Sequence, residues 1–281
     1  MVCNKFGFRS DCETFNLGGM GCSASPISIK LAQSLLKTKS SGILPFGGGG
    51  VALVVSTEII GPNLYTGNKR SFLLQNTLFR CGGAAVVLSN KWGHGSRAWY
   101  KLLHVVRVQN SDEKSYNCVY EAEDETMRRG VALSKEIVKV AGKTMEKNFV
   151  KLGPLLLPIS EQVKVLFSII KKHMYKAMGS KERVQMYVPD FKKAVDHFCI
   201  HAGGRAVIDG IEKNLSLAPY HTEPSRMTLL NYGNTSSSSI WYELEYIHYY
   251  QKTNKIKKGD RVLQIAFGSG FKCNSAIWLK L

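Results

Sequence analysis

Hydrophobic positions along the chain follow two patterns, continuous apolar runs and stripes with the spacing of a helix. Continuous runs predict strands at 51–56, 82–88, 102–108, 261–267 and 275–281. Stripes with helical spacing predict helices at 21–36, 131–149, 190–198, 205–214 and 235–246. The first strand, 51–56, is predicted to be buried and parallel to its neighbours. Strands that alternate with helices are typical of an α/β fold.

Two segments interrupt this order. The run SGILPFGGGG at 41–50 is rich in glycine and predicts a loop. The longest apolar stretch, 152–170, contains two prolines together with Glu161 and Lys164, so it is too broken to span a membrane as one helix. We interpret it as a core helix, with a helix on a membrane surface or along a lipid-facing pocket as the alternative.

Charge narrows the choice of partners. The 281 residues are 44% hydrophobic and carry 38 Lys and Arg against 21 Asp and Glu, a formal net charge of +17. This charge favours a polyanionic partner: a nucleic acid, an anionic membrane surface or a phosphorylated substrate. The basic residues are spread along the chain without a zinc-finger or RNA-binding motif, so we predict no nucleic-acid partner.

The seven cysteines are spaced irregularly and form no CxxC pair. An odd, irregular set argues against a disulfide framework and against a structural zinc site, and it fits a reducing compartment. The N-terminus shows no signal-peptide pattern.

One cysteine has the surroundings of a nucleophile. The sequence FNLGGMGCSA places Cys22 directly after a glycine cluster and at the start of a predicted helix. Glycines let the backbone turn sharply, while the free N–H groups and partial positive charge of a helix start favour a thiolate and can hold an oxyanion. The alternative from this segment alone is a buried structural cysteine after a strand.

Two further residues complete a set suited to acyl transfer. His201 precedes the glycine turn at 203–204, and Asn234 precedes the hydroxyl-rich helix start TSSSS. Each alone has an ordinary explanation, a packed histidine or a capping turn. The order Cys, His, Asn also occurs in papain-like proteases, but the aromatic residue that follows their nucleophile is missing after Cys22.

Longer motifs connect these residues to a known family. The segments are FNLGGMGCS (15–23), ALVVSTE (52–58), GNKRS (67–71), LGPLLLPISE (152–161), DHFCIHAGGRAVID (196–209), GNTSSSSIWYEL (233–244) and QIAFGSGFKCNS (264–275). These segments run in order over nearly the whole chain, and in them the chain closely resembles the plant 3-ketoacyl-CoA synthases. These are the condensing enzymes of very-long-chain fatty acid elongation, in the thiolase-like superfamily.

The resemblance implies a fold and a reaction. The fold is α/β, a thiolase-like layered αβαβα arrangement of two related halves. Residues 1–185 form the first half, which is expected to be incomplete, and residues 186–281 form the second. The reaction joins a long-chain acyl-CoA to malonyl-CoA with loss of CO2 and CoA. Cys22 is the implied nucleophile, with His201 and Asn234 as catalytic partners. No cofactor and no metal are implied.

Supporting residues are expected around this set. Backbone N–H groups of Cys22, Ser269 and Gly270 are the expected oxyanion donors. His197 and His104 are secondary candidates for supporting roles, although packing is the more common role for such residues. Basic residues that can meet CoA phosphates, but that by default are solvated, are Lys69, Arg70, Lys257, Lys258 and Arg261.

The resemblance also implies partners and a location. It implies pairing with a second copy or a related synthase, contact with other elongase components and with a membrane surface, and residence at the endoplasmic reticulum membrane. The basic surface suits both CoA and an anionic membrane.

The chain departs from this family in three places. Family members are longer at the N-terminus, with membrane-spanning helices and the opening strands of the first half, so we expect this chain to lack that anchor and part of the sheet. The segment 41–50 replaces a short polar connection. Leu230 stands where family members usually carry a histidine, four residues before Asn234.

Two alternatives to the elongation reaction remain at this point. One is a condensing enzyme of the chalcone-synthase type, a type III polyketide synthase. The other is a non-catalytic chain that pairs with full-length relatives and binds acyl-CoA without turnover, since thiolase-like enzymes pair through a two-fold interface.

Overall fold

The computed structural model describes residues 2–39, 49–178 and 187–281. Its helices are α1 Val2–Lys5, α2 Ala24–Lys39, α3 Arg70–Leu78, α4 Glu113–Tyr116, α5 Ile137–Leu156, α6 Ile159–Ala177, α7 Arg205–Asn214, α8 Pro219–Tyr232 and α9 Ser239–Tyr249. Its strands are β1 Val51–Glu58, β2 Gly82–Ser89, β3 Tyr100–Gln109, β4 Val119–Glu123, β5 Arg129–Leu133, β6 His197–Ile200, β7 Arg261–Gly268 and β8 Lys272–Lys280. The loop predicted at 41–50 lies outside the described residues except for 49–50.

The larger sheet has four strands in the order β3-β8-β7-β6. β8 pairs antiparallel with both β3 and β7, while the edge strand β6 runs parallel to β7. β7 and β8 are buried along nearly their whole length, which is why the sequence shows them as continuous apolar runs. The strands predicted at 102–108, 261–267 and 275–281 are therefore confirmed.

The two-stranded sheet formed by β1 and β2 corrects one prediction. β1 pairs with β2 in antiparallel register, so the parallel strand predicted at 51–56 is wrong in direction. Its burial also alternates: Val54 is buried, whereas Val51 and Val55 are exposed. One face of β1 packs on α2 and the turn at 236–238, and the opposite face meets solvent.

Helices α2 and α9 lie between the β1-β2 sheet and the four-stranded sheet. α2 contacts β1 and β2 on one side and β3, β7 and β8 on the other, while α9 contacts β2, β6 and β7. Ile29, Val54, Val262 and Trp278 belong to the core cluster of this layer. On the other face of the four-stranded sheet, α5 packs on β3 and β8 and contacts α7. Sheet, helix, sheet and helix layers thus follow one another in the described residues, and they correspond to four of the five layers of the predicted αβαβα fold.

The two predicted halves share one core. β3 and α5 come from the segment 1–185, and both pack directly on strands of the segment 186–281. The sheet therefore crosses the predicted boundary, whose position stays a prediction.

Local predictions differ in outcome. The helices predicted at 21–36, 205–214 and 235–246 are confirmed as α2, α7 and α9. The helix predicted at 190–198 is wrong, because this segment forms one 3-10 turn and then the buried strand β6. The helix predicted at 131–149 begins only at Ile137, because 129–133 pair with β4.

The apolar stretch at 152–170 is divided between α5 and α6. Leu152 in α5 is fully buried, but α6 exposes Leu166, Phe167 and Ile170. The prediction of a core helix is therefore wrong for α6. Of the helices in the described residues, none combines the length and the apolar character needed to cross a membrane.

Candidate active site

Glycine shapes the turn that carries Cys22. Gly19 and Gly21 have left-handed φ angles of 69° and 59°, which glycine adopts without the steric cost of a side chain. A Cβ at Gly21 would also stand 3.0 Å from the backbone nitrogen of Ser269. Gly21 therefore lets the turn approach the loop between β7 and β8, which brings Cys22 beside Ser269.

Cys22 is a neutral thiol in this structure near pH 7. Burial raises the pKa of its thiol to about 11, although a hydrogen bond from Ser236 Oγ, 3.4 Å from Sγ, acts in the opposite direction. The thiolate that the helix start was expected to favour is therefore outweighed by burial. Attack by Cys22 requires that its proton move to a base.

His201 is fixed in the core directly after β6. Its backbone N–H donates to the carbonyl of Ile265 at 2.9 Å, which continues the pairing of β6 with β7. Its Nδ1 lies 2.6 Å from Oγ of Ser239. Burial lowers the pKa of the imidazole to about 4, so the ring is neutral near pH 7 and one of its two nitrogens carries no proton.

Ser239 determines which ring nitrogen of His201 carries the proton. Its hydroxyl lies within reach of Nδ1 and, at 2.9 Å, of the carbonyl oxygen of Ser236. A hydroxyl has one proton to donate. Donation to Nδ1 leaves the ring proton on Nε2, whereas donation to Ser236 leaves it on Nδ1 and makes Nε2 an acceptor.

Asn234 is held by its backbone and by its side chain. Its N–H donates to Leu78 and its carbonyl accepts from Arg80, at 2.8 and 2.9 Å. Its Oδ1 accepts from the N–H of Ser236 at 2.8 Å, so Nδ2 is directed to the carbonyl of Gly203, 3.4 Å away. The amide therefore presents a donor on the side of His201.

His201 and Asn234 flank the same glycine. A Cβ at Gly203 would stand 3.3 Å from Nε2 of His201, and the carbonyl of Gly203 is the acceptor for Asn234. The structure thus brings together the two residues that lie 33 positions apart in sequence.

Ser236 connects the three predicted residues and was missed by sequence reasoning. It contacts Cys22 through Oγ and Asn234 through its N–H, while its carbonyl meets Ser239, the partner of His201. Its φ of 55° is left-handed, which is uncommon for a side-chain-bearing residue and recurs at functional sites. The four serines at 236–239 are all buried, and that run was the available signal.

The secondary histidines lie elsewhere. His197 is buried, with Nε2 3.0 Å from Oδ2 of Asp260 and Nδ1 3.4 Å from Nδ2 of Asn254. It holds the loop before β7, and among the described residues neither ring nitrogen bonds to the Cys22 network. His104 is on β3, opposite Ile277 and at the far edge of the sheet from β6.

The predicted phosphate ligands are scattered. Lys257, Lys258 and Arg261 lie at the start of β7, whereas the loop beside Cys22 follows its end at Gly268. Lys69 pairs with Glu125 at 2.7 Å. Arg70 begins α3, whose opposite end leads to Asn234. The structure does not bring these cations to one place, and their role as phosphate ligands stays a prediction.

Two other predicted positions take clear places. Gly270 has a left-handed φ of 79° next to Ser269, in the loop that the turn at Gly21 approaches. The role of these backbone N–H groups as oxyanion donors stays a prediction. Leu230 is on α8 and is 75% exposed. Within 2–39, 49–178 and 187–281, no group of three or more His, Cys, Asp or Glu can hold a metal ion.

Family models cover the chain almost completely. Residues 1–174 match "FAE1/Type III polyketide synthase-like protein", and residues 168–280 match "Chalcone and stilbene synthases, C-terminal domain".

Curated relatives agree with these models. The chain is 51% identical to 3-ketoacyl-CoA synthase 17 of Arabidopsis thaliana over 282 aligned residues, which cover 100% of this chain and 55% of that protein. It is 50% identical to the probable 3-ketoacyl-CoA synthase 20 of Oryza sativa subsp. japonica, with 100% and 51% covered. The chain spans about half the length of the curated relatives it matches.

Solved structures support the fold. A fungal type III polyketide synthase, ORAS, has a TM-score of 0.70 at 21% identity, with 100% of this chain and 68% of that chain covered. The type III polyketide synthase domain of Steely1 from Dictyostelium has a TM-score of 0.69 at 20% identity, with 99% and 65% covered. These likenesses show the fold, while the family models and the curated relatives show that the chain belongs to the FAE1/type III polyketide synthase-like family, as a relative of the 3-ketoacyl-CoA synthases.

Proposed function

We propose that the chain catalyses the decarboxylative condensation of a long-chain acyl-CoA with malonyl-CoA, within very-long-chain fatty acid synthesis. The observation that carries this proposal is the buried network in which Ser236 contacts Cys22 and Asn234, and Ser239 joins it to His201. Its relatives at 50–51% identity are named 3-ketoacyl-CoA synthases. The polyketide alternative has support from structures at only 20–21% identity, which share the fold.

The first half-reaction loads Cys22. Its Sγ attacks the thioester carbonyl of the acyl-CoA, and neutral His201 takes the thiol proton. Backbone N–H groups of Cys22 and of the loop containing Ser269 hold the developing oxyanion. The C–S bond to CoA breaks, CoA leaves with that proton, and the acyl group stays on Cys22.

The second half-reaction forms the new carbon–carbon bond. Malonyl-CoA loses CO2, which leaves an enolate whose oxygen accepts from Nε2–H of His201 and Nδ2–H of Asn234. The carbanion attacks the acyl carbonyl, and the bond to Cys22 breaks to release the 3-oxoacyl-CoA. The Cys22 thiolate that leaves takes up one proton from solvent and returns to the resting thiol. Neutral donors suffice for the enolate, which fits a histidine that burial keeps uncharged.

A membrane surface is the proposed setting of the reaction. α6 exposes Ile159, Leu166, Phe167, Ile170 and Met174, which recur at helical spacing along one face. Exposed lysines at 171 and 172 accompany this face. Apolar residues beside cations are typical of helices that lie on anionic bilayers. Residence at the endoplasmic reticulum, pairing of subunits and contact with other elongase components are further proposals that rest on the resemblance.

Loading of Cys22 tests the proposed function directly. Incubation of the purified chain with a long-chain acyl-CoA is expected to add the mass of one acyl group, because the proposed reaction leaves that group on the Cys22 thiol. Intact-protein mass spectrometry measures the adduct, with Cys22→Ala as the control that must stay unmodified. A folded protein, verified by circular dichroism, that forms no adduct would contradict the proposal and favour a non-catalytic partner.

The two half-reactions should separate in variants of the second donor pair. His201→Ala or Asn234→Ala is expected to reduce release of labelled CO2 from malonyl-CoA by about 10²–10³-fold, since each removes a preorganised donor. Asn234→Ala should still accept the acyl group on Cys22 at a rate close to that of the parent chain. Equal loss of loading and decarboxylation in Asn234→Ala would argue against the assigned role.

The pKa of Cys22 predicts an alkaline reactivity profile. Only the thiolate reacts with iodoacetamide, and the pKa is raised to about 11, so alkylation of Cys22 should rise about tenfold per pH unit from pH 7 to 10. Quantification of the peptide that contains Cys22 separates it from exposed cysteines. Ser236→Ala should slow alkylation at a given pH, because the hydrogen bond from Ser236 lowers this pKa. A plateau near pH 8.5 would disprove the burial argument.

Membrane contact through α6 has a matched pair of variants. Phe167→Glu places a charge in the exposed apolar face and is expected to lower binding to vesicles of phosphatidylserine and phosphatidylcholine at least severalfold in co-sedimentation. Val87→Glu changes an equally exposed residue, 67% against 67%, on β2 and should leave binding unchanged. Equal effects of the two variants would remove α6 as the membrane surface.

A further inference from the structure

Glu243 is a buried carboxyl group that the proposed reaction does not use. It lies in the first turns of α9, and its side chain has no exposure to solvent. Its Oε1 accepts from the backbone N–H of Ala202 at 3.1 Å, and its Oε2 accepts from Oγ of Ser225 at 2.8 Å. Burial of such a group in the core costs free energy unless hydrogen bonds inside the protein replace those that it made to water.

The edge position of β6 explains what Glu243 does there. Successive N–H groups of a strand point to opposite sides. His201 donates to Ile265 of β7, so the N–H groups of Ile200 and Ala202 point away from β7. In the described residues, β6 is the last strand on that side of the sheet. These two donors therefore need acceptors other than a neighbouring strand.

Glu243 supplies both acceptors, one directly and one through a relay. Ala202 donates to the carboxyl itself, while Ile200 donates to Ser225 Oγ at 3.0 Å, whose hydroxyl then donates to Glu243. The N–H groups of the residues directly before and after His201 are thus tied to one side chain. Because Ser239, on the same helix, holds the ring of His201, α9 fixes this residue from both its backbone and its imidazole.

We propose that Glu243 is a positioning residue, which holds the His201 backbone so that Nε2 stands at the substrate oxygen. This inference rests on the proposed condensation for its effect on rate, but its structural part does not. It predicts that loss of Glu243 disturbs the two flanking amides and the step that uses His201, while the loading of Cys22 continues.

Amide hydrogen exchange measured by NMR tests the positioning without any substrate. In Glu243→Leu, the amides of Ile200 and Ala202 are expected to exchange about tenfold faster or more, since their acceptors are lost. The amide of His201 should keep its protection. In Ser225→Ala, the amide of Ile200 alone should exchange faster, and this small change keeps the test decisive if Glu243→Leu does not fold. Unchanged exchange at both flanking amides in a folded variant would overturn the proposal.

Rates of the two half-reactions test the consequence. Glu243→Leu is expected to lower decarboxylation of malonyl-CoA about 10–100-fold, as misplacement by about 1 Å can do, with acylation of Cys22 within about threefold. Glu243→Gln keeps one oxygen acceptor and should recover most of the rate. Equal decarboxylation by the parent chain and a folded Glu243→Leu would overturn the proposal.

A matched control separates positioning from stability. Glu161 has an equally buried carboxyl, which accepts from Lys193 at 2.7 Å and Tyr187 at 2.6 Å in another part of the fold. Glu161→Leu should lower the melting temperature but leave both flanking amides of His201 and the kcat of the folded protein unchanged. If the parent chain forms no condensation product at all, the proposed function fails, while the exchange data still decide the role of Glu243.

Discussion

The candidate site depends on one constraint, that the serines buried at the start of α9 keep hydrogen-bond partners inside the protein. Unpartnered polar groups in a core are costly, so each serine at 236–239 must find a donor or acceptor. Ser236 finds Cys22 and Asn234, and Ser239 finds His201. Satisfaction of this run therefore orients the residues of the site, and stability and geometry come from the same bonds.

This arrangement also explains how distant segments meet. Cys22 comes from the start of the chain, while its partners come from its last third. α2 packs against both sheets and buries Ile29 completely, so its first turn stands where α9 begins. Ser25 in this turn donates to the carbonyl of Ser237 at 2.6 Å. Hydrophobic packing places the helix, and a few hydrogen bonds fix its exact position.

The sequence predicted the layers and the three principal residues, because glycine turns and helix starts leave local signals. It predicted a helix at 190–198 that overlaps the start of β6, since the four residues of β6 are too few to show a period and they are buried on both faces. It did not predict the left-handed Ser236, whose φ of 55° is imposed by the contacts around it. Glu243 reads as a solvated position in WYELEY, yet it is fully buried. Those features depend on tertiary neighbours that no local pattern contains.

Burial shifts the pKa values of Cys22 and His201 in opposite directions, and both shifts favour the uncharged form. It raises the pKa of the thiol and lowers that of the imidazole, because in each case it disfavours the charged form. Both groups therefore rest uncharged. In the proposed reaction, loading must be coupled to transfer of the thiol proton. The enolate itself needs only neutral donors, and a proton from solvent restores the thiol once the product has left. In a site of this kind, the unfavourable formation of charge falls in the first step, and His201 remains a neutral donor for the second.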